Sequence, residues 1–179
     1  QNDFTSTSIG CVQCKQEVAR DRFNKIDYIF QRDRLKVIYK RWNVAKILAE
    51  ENSIGGPNLE MLQNDGLPVV GFMTTSSSKP TLIENMALAL EKTEWQFQAD
   101  PIWTAELEAY EREVSRSSGR SSYGAPDGLH DDTVIGRALM LWQSNQQSSF
   151  RVIPQSVSLF GGRARAGNNQ REGIYGSRR

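Results

Sequence analysis

A single histidine, two cysteines and no apolar run near the roughly 18 residues a membrane-spanning helix requires limit what this chain can be. A structural zinc site wants about four nitrogen or sulfur ligands. Cys11, Cys14 and His130 fall short of that number. The first of two expected strands takes in residues 4–14, so Cys11 and Cys14, three apart, are expected to face opposite ways as ordinary reduced thiols. No charged-then-apolar leader opens the sequence, and the expected setting is cytoplasmic. Also missing is any G-x-x-x-x-G-K-[ST], which excludes a P-loop nucleotide site; Gly161-Gly162-Arg163 lacks the lysine.

What is present suits a soluble domain. The 179 residues are 38% hydrophobic and 24% charged, enough chain to bury a core. The net charge of +1 conceals a division. From Arg151 onward there are six arginines and one acid, Glu172, giving +5; residues 1–150 therefore hold 16 basic and 20 acidic groups, or −4. An acidic body argues against a purely electrostatic DNA binder and suits a protein that collects carboxylates around cations.

Hydrophobic periodicity predicts an initial hairpin over residues 4–14 and 17–29, then a helix from Phe30 to Trp42. Val44–Ala49 reads as a strand buried on both faces, ending in Glu50-Glu51-Asn52. Pro57 is placed to open a short helix. Leu67–Met73 reads as a second buried strand, Lys79–Glu91 as a helix and Trp95–Phe97 as a brief strand. Asp100-Pro101 should cap a helix running through Val114; a Ser/Gly/Arg loop over 115–122 and a last helix from Asp127 to Gln143 follow. The expected fold is a mixed α/β sheet flanked by helices over residues 1–145, with a flexible basic tail over 146–179.

Four acids stand out. Asp3 precedes the first strand, Glu50 ends a buried one, and Asp131 and Asp132 open the last helix. Asp131 shares a helical face with Val134, Ile135, Ala138 and Trp142, an apolar stripe that must pack inward. A carboxylate aimed at a sheet rim is costly without a cation, and a hard divalent ion held between a strand end and a helix start removes that cost. Two such ions activate water and stabilise the leaving oxygen in phosphodiester cleavage. Each acid taken singly has a structural reading too, above all the helix-dipole role of Asp131 and Asp132.

Two phrases sharpen this. Glu50-Glu51-Asn52-Ser53-Ile54-Gly55 gives E-x-N-x-x-G after a strand, and His130-Asp131-Asp132 opens a helix about eighty residues on. In that order, with Asn2-Asp3-Phe4-Thr5 before them and Thr74-Thr75 and Lys79 between, the chain resembles the nuclease domains of phage terminase large subunits. The resemblance implies a ribonuclease H-like fold and an endonuclease that cuts concatemeric double-stranded DNA with two Mg²⁺ or Mn²⁺ ions in the host cytoplasm. It implies Glu50 and Asp131 as catalytic metal ligands, with Asp3 and Asp132 as auxiliary ligands. Lys79, Asn52 and His130 become DNA-binding or positioning residues, and Glu51 is the alternative to Glu50. The implied partners are DNA, the packaging ATPase domain, the portal and the small terminase subunit. The family's first strand and its principal aspartate would precede Gln1, so this chain alone is expected to carry an incomplete metal site. A Holliday-junction resolvase or transposase of the same fold, and a non-catalytic docking domain, are the competing readings.

Overall fold

The computed structural model describes residues 4–114 and 121–147. Asp3, residues 115–120 of the expected loop and the tail beyond Gln147 lie outside the described residues. The chain opens with an antiparallel hairpin, β1 (Thr5–Cys11) and β2 (Gln16–Phe23). Gly10 is where β1 is pressed hardest: a Cβ there would come within 2.7 Å of Met140 Sδ and 2.8 Å of the Trp95 ring. The expectation that Cys14 continues the strand is corrected. A turn intervenes, with Lys15 at φ 53°, and Cys14 folds back so that its N–H donates to Cys11 Sγ at 3.2 Å.

Next come α1 (Tyr28–Trp42), β3 (Ile47–Glu50), the single turn α2 (Glu51–Ile54), α3 (Gly56–Asn64, opened by Pro57), β4 (Val69–Phe72) and α4 (Ser78–Glu91). β3 and β4 are parallel, with Glu50 opposite Phe72. The strand expected at Trp95–Phe97 reduces to one bridge between Gln96 and Gln16. Then follow α5 (Pro101–Ala109), a second hairpin of β5 (Glu111–Val114) and β6 (Ser121–Gly124), and α6 (Asp132–Gln147).

Two helix boundaries depart from expectation. α5 stops at Ala109 instead of continuing through Val114, because Tyr110 turns extended (ψ 120°) and the following residues pair with β6. α6 begins at Asp132 and not Asp127, because Gly128 sits at φ +86°, in the left-handed region that no helix passes through. The far end of α6 reaches Gln147, across the expected domain boundary at residue 146. One continuous sheet was expected; the described strands instead form three two-stranded sheets, with α6 packed on both β1 and β3. Among the described residues no helix is long and apolar enough to cross a membrane.

The strand pair β3–β4 packs on both faces but is less buried than expected: every β3 residue keeps some exposure and Val70 is 45% exposed. Leu48 and Phe72 meet a core built from Leu82, Ile83 and Met86 of α4 and Val134, Ile135 and Ala138 of α6. Ile47, Ala49 and Val69 face the other way, onto Leu59 and Leu62 of α3 and Leu35 and Tyr39 of α1. The first core absorbs the apolar stripe of α6, with Val134 and Ala138 fully buried and Trp142 edge-on to Phe72.

A buried cluster of charges sits inside this packing. Arg137, 2% exposed, ion-pairs with Glu17 at 3.0 Å and Asp100 at 3.2 Å, its guanidinium 4.4 Å from the Trp103 ring centroid. Asp100 also caps α5, accepting from Ile102 N–H at 3.1 Å. Burial works against ionisation of Asp100, but Arg137, a backbone N–H and Arg20 outweigh it and hold the carboxyl below its usual range. Breaking a buried pair by removing one partner costs about 3–5 kcal/mol. Arg137→Met should therefore lower the urea-unfolding free energy by roughly that amount at pH 7. Asp100's depressed folded value means that its stabilisation is present above the unfolded carboxyl range, near about pH 4, and is lost as pH falls through the folded value. The wild-type advantage over the variant should shrink in that acidic window, and a difference independent of pH would contradict the assignment.

Candidate functional site

β3 delivers two adjacent acids, and the fold separates them. Glu50 closes the strand and accepts from Ser53 Oγ at 2.7 Å. Glu51 begins α2 and lies across β4 on the Leu59 side: a Cβ added to Gly71 would be 2.6 Å from its carboxylate oxygen. Any larger residue at 71 would have to displace the Glu51 carboxylate.

Asp131 is brought in by α6. Its carbonyl accepts the first helical bond, from Ile135 N–H at 2.9 Å, so Asp131 is the cap residue itself and not, as expected, part of the first turn. Its carboxylate meets Lys79 Nζ at 3.1 Å, from the start of α4. Tyr110, where α5 ends, lies within the electrostatic reach of both acids. Burial raises the pKa of this phenol strongly, and the negative charges of Asp131 and Glu50 raise it further. Both carboxylates thus act on one side chain. The Tyr110 hydroxyl is buried without a hydrogen-bond partner among the described residues, and Lys79 lies 5.8 Å from its ring centroid.

Asp132, the next residue, enters a different cluster. Its carboxylate is 3.6 Å from His130 Nδ1 and 3.9 Å from Arg22. Burial, with nearby Glu106, pushes its pKa up against the pull of His130 and Arg22. His130 also stands edge-on to Phe4 at 5.2 Å. Asn52 clamps the loop after β4, donating to Thr74 O at 2.9 Å and accepting from Thr74 N–H at 3.1 Å. Thr75 Oγ1 accepts from Ser78 N–H at 3.0 Å, which sets the first turn of α4 and with it Lys79. Among the described residues no three Asp, Glu, His or Cys side chains gather tightly enough to hold a metal.

Tyr110, Glu106 and Arg22 were not singled out from the sequence. The signal for the first two was there: on α5, Glu106 falls among Trp103, Leu107 and Tyr110, an acid inside an apolar stripe. Arg22 carried no such mark.

No protein-family model and no curated protein matches the chain. Solved structures do. The large terminase nuclease of the thermophilic phage G20c is 26% identical, covers 80% of this chain and 76% of its own, and superimposes with a TM-score of 0.73. The large terminase nuclease domain of Thermus phage P74-26 is 26% identical over 80% of this chain and 74% of its own, at a TM-score of 0.71. This chain resembles phage large terminase nucleases. The G20c nuclease has also been crystallised with bound magnesium, cobalt or zinc, the magnesium form giving a TM-score of 0.72. The likeness to large terminase nucleases covers four-fifths of the chain.

The clamp on the loop after β4 gives a direct check of the local geometry. Asn52→Ala removes both hydrogen bonds to Thr74 at an exposed site, a loss of about 1 kcal/mol. The Thr74 amide should then exchange faster with solvent while core amides of α6 keep their protection, as read by hydrogen exchange. Unaltered Thr74 exchange would mean the clamp does not hold the loop.

Proposed function

We propose that this chain is the nuclease domain of a phage terminase large subunit, a metal-dependent endonuclease that cuts concatemeric double-stranded DNA during genome packaging. The observation that carries the proposal is the likeness to large terminase nucleases over four-fifths of the chain, and it is supported by Glu50 at a strand end and Asp131 at a helix start both bearing electrostatically on the buried Tyr110. Such a fold has a ribonuclease H-like sheet, in which a further strand would join β1 to β3 beneath α6.

The donor set suits one hard divalent cation. Mg²⁺ commonly keeps several waters and takes only one or two protein carboxylates. Glu50 and Asp131 supply two, from a strand end and a helix start. A bound Mg²⁺ or Mn²⁺ would acidify a water and take up charge on the leaving oxygen. The second ion expected from the sequence depends on Asp3, outside the described residues, and on Asp132, which turns toward His130, Arg22 and Glu106. Lys79 neutralises Asp131 when no cation is present and lies close enough to meet a phosphate when one is. Base readout is not called for, since the motor, portal and small subunit would position the cut. The +5 segment from Arg151 suits salt-dependent contact with DNA or a partner.

In the full-length protein, Glu50→Gln and Asp131→Asn should each reduce Mn²⁺-dependent plasmid nicking to background. Both should stay folded: the Lys79–Asp131 pair is partly exposed and is worth no more than about 1 kcal/mol, so melting should barely move. Wild-type cutting by either variant would sink the assignment. Cutting of four-way junctions in preference to linear duplex would favour a resolvase instead.

Lys79→Met separates the two roles given to that lysine. Removing the competing ammonium should tighten Mn²⁺ binding, while nicking falls through loss of the phosphate contact. If Mn²⁺ affinity falls with the lysine, Lys79 is not competing for Asp131.

A further inference from the structure

A residue at the cap of a helix, particularly an aspartate, ordinarily turns its side chain back to accept from the free N–H groups of the first turn. Asp131 occupies that position and does not do so. The N–H of Thr133, 2.8 Å from Glu106 Oε2, is satisfied by that carboxylate, which reaches across from α5. The Thr133 hydroxyl donates to the same oxygen. Glu106 is 7% exposed, and its other oxygen accepts from Arg22 at 3.1 Å, so the carboxylate is held from both sides. With the helix capped from elsewhere, the Asp131 carboxylate is left to meet Lys79 beside Tyr110.

We infer that Glu106 is a positioning residue: by capping α6 in place of Asp131, it keeps the Asp131 carboxylate free to hold the cation. The inference rests on the cation reading above and adds the reason Asp131 is available to it. A buried carboxylate is an expensive way to cap a helix when an aspartate is already in place to do so locally. That arrangement makes sense where the local aspartate is needed elsewhere. Without Glu106, the orphaned Thr133 N–H competes for Asp131 and draws it back toward the helix. Ligand-orienting partners of this kind commonly change metal affinity by about 10–100-fold.

The test uses the full chain and two readouts. Mn²⁺ binding by calorimetry should weaken about 10-fold or more in Glu106→Ala. Glu106→Asp, which keeps the charge for Arg22 but withdraws the oxygen by one methylene, should weaken it similarly and covers the case in which the alanine variant does not fold. Glu106→Gln retains an acceptor for Thr133 N–H and should bind Mn²⁺ within a few-fold of wild type. Wild-type affinity in a folded Glu106→Ala or Glu106→Asp overturns the inference. So does a Gln variant as weak as the Asp variant, which would make charge the operative property. The second readout needs no metal: Thr133 amide exchange should accelerate in Glu106→Asp and stay slow in Asp131→Asn. The reverse pattern would identify Asp131 as the cap and end the proposal. Absence of Mn²⁺ binding by the wild type would instead count against the cation reading, and the exchange measurement would still decide which carboxylate caps α6.

Discussion

Helix α6 must bury one face completely while its first residues hold acids. Val134, Ile135, Ala138, Leu139 and Leu141 fix its axis and rotation against α4, β1 and β3, and that fixes where Asp131 emerges. Rotating the helix would pull Val134 out of its core contacts and swing Asp131 away from Lys79, so the hydrophobic stripe and the carboxylate position form one constraint. The energetic weight lies with the apolar contacts. The polar groups determine register.

Those polar groups form two ties across the helix. Deeper along α6, Arg137 is anchored by Glu17 of the hairpin and Asp100 at the start of α5. At the first turn, Thr133 is held by Glu106 of the same α5, and Glu106 in turn by Arg22 of the hairpin. Both ties therefore run through the same three elements, β2, α5 and α6. Such networks are weak sources of net stability but penalise every alternative packing that would leave a charge alone. Their effect is to fix the first half of α6, and with it Asp131, against β2 and α5.

Much of this was legible in the chain. The apolar run before Glu50 and the stripe behind Asp131 located both acids on their elements, because periodicity reports burial and burial sets direction. The boundaries were less legible. Nothing local in Glu111–Val114 announces a strand; it forms because a partner exists at Ser121–Gly124, a non-local pairing that outweighs helix propensity. The start of α6 was recoverable in principle from Gly128, whose left-handed backbone no helix would tolerate. The orientations of Glu50 and Glu51 and the Arg22–Glu106–Thr133 tie depend on tertiary placement, and no spacing rule reports that. Asp132 shows the same limit: adjacent to Asp131 in sequence, it belongs to another cluster in space.

In the proposed function, Glu50 and Asp131 together hold a cation beside Tyr110. Mn²⁺ is paramagnetic and broadens amide signals within reach of where it binds, so a titration followed by ¹⁵N-resolved spectra maps the site directly. The account predicts selective broadening of residues at the end of β3, the junction after α5 and the start of α6, centred on Glu50, Tyr110 and Asp131. Broadening centred elsewhere, such as on the exposed acids around Asp33 and Asp65, or none at all, would contradict it.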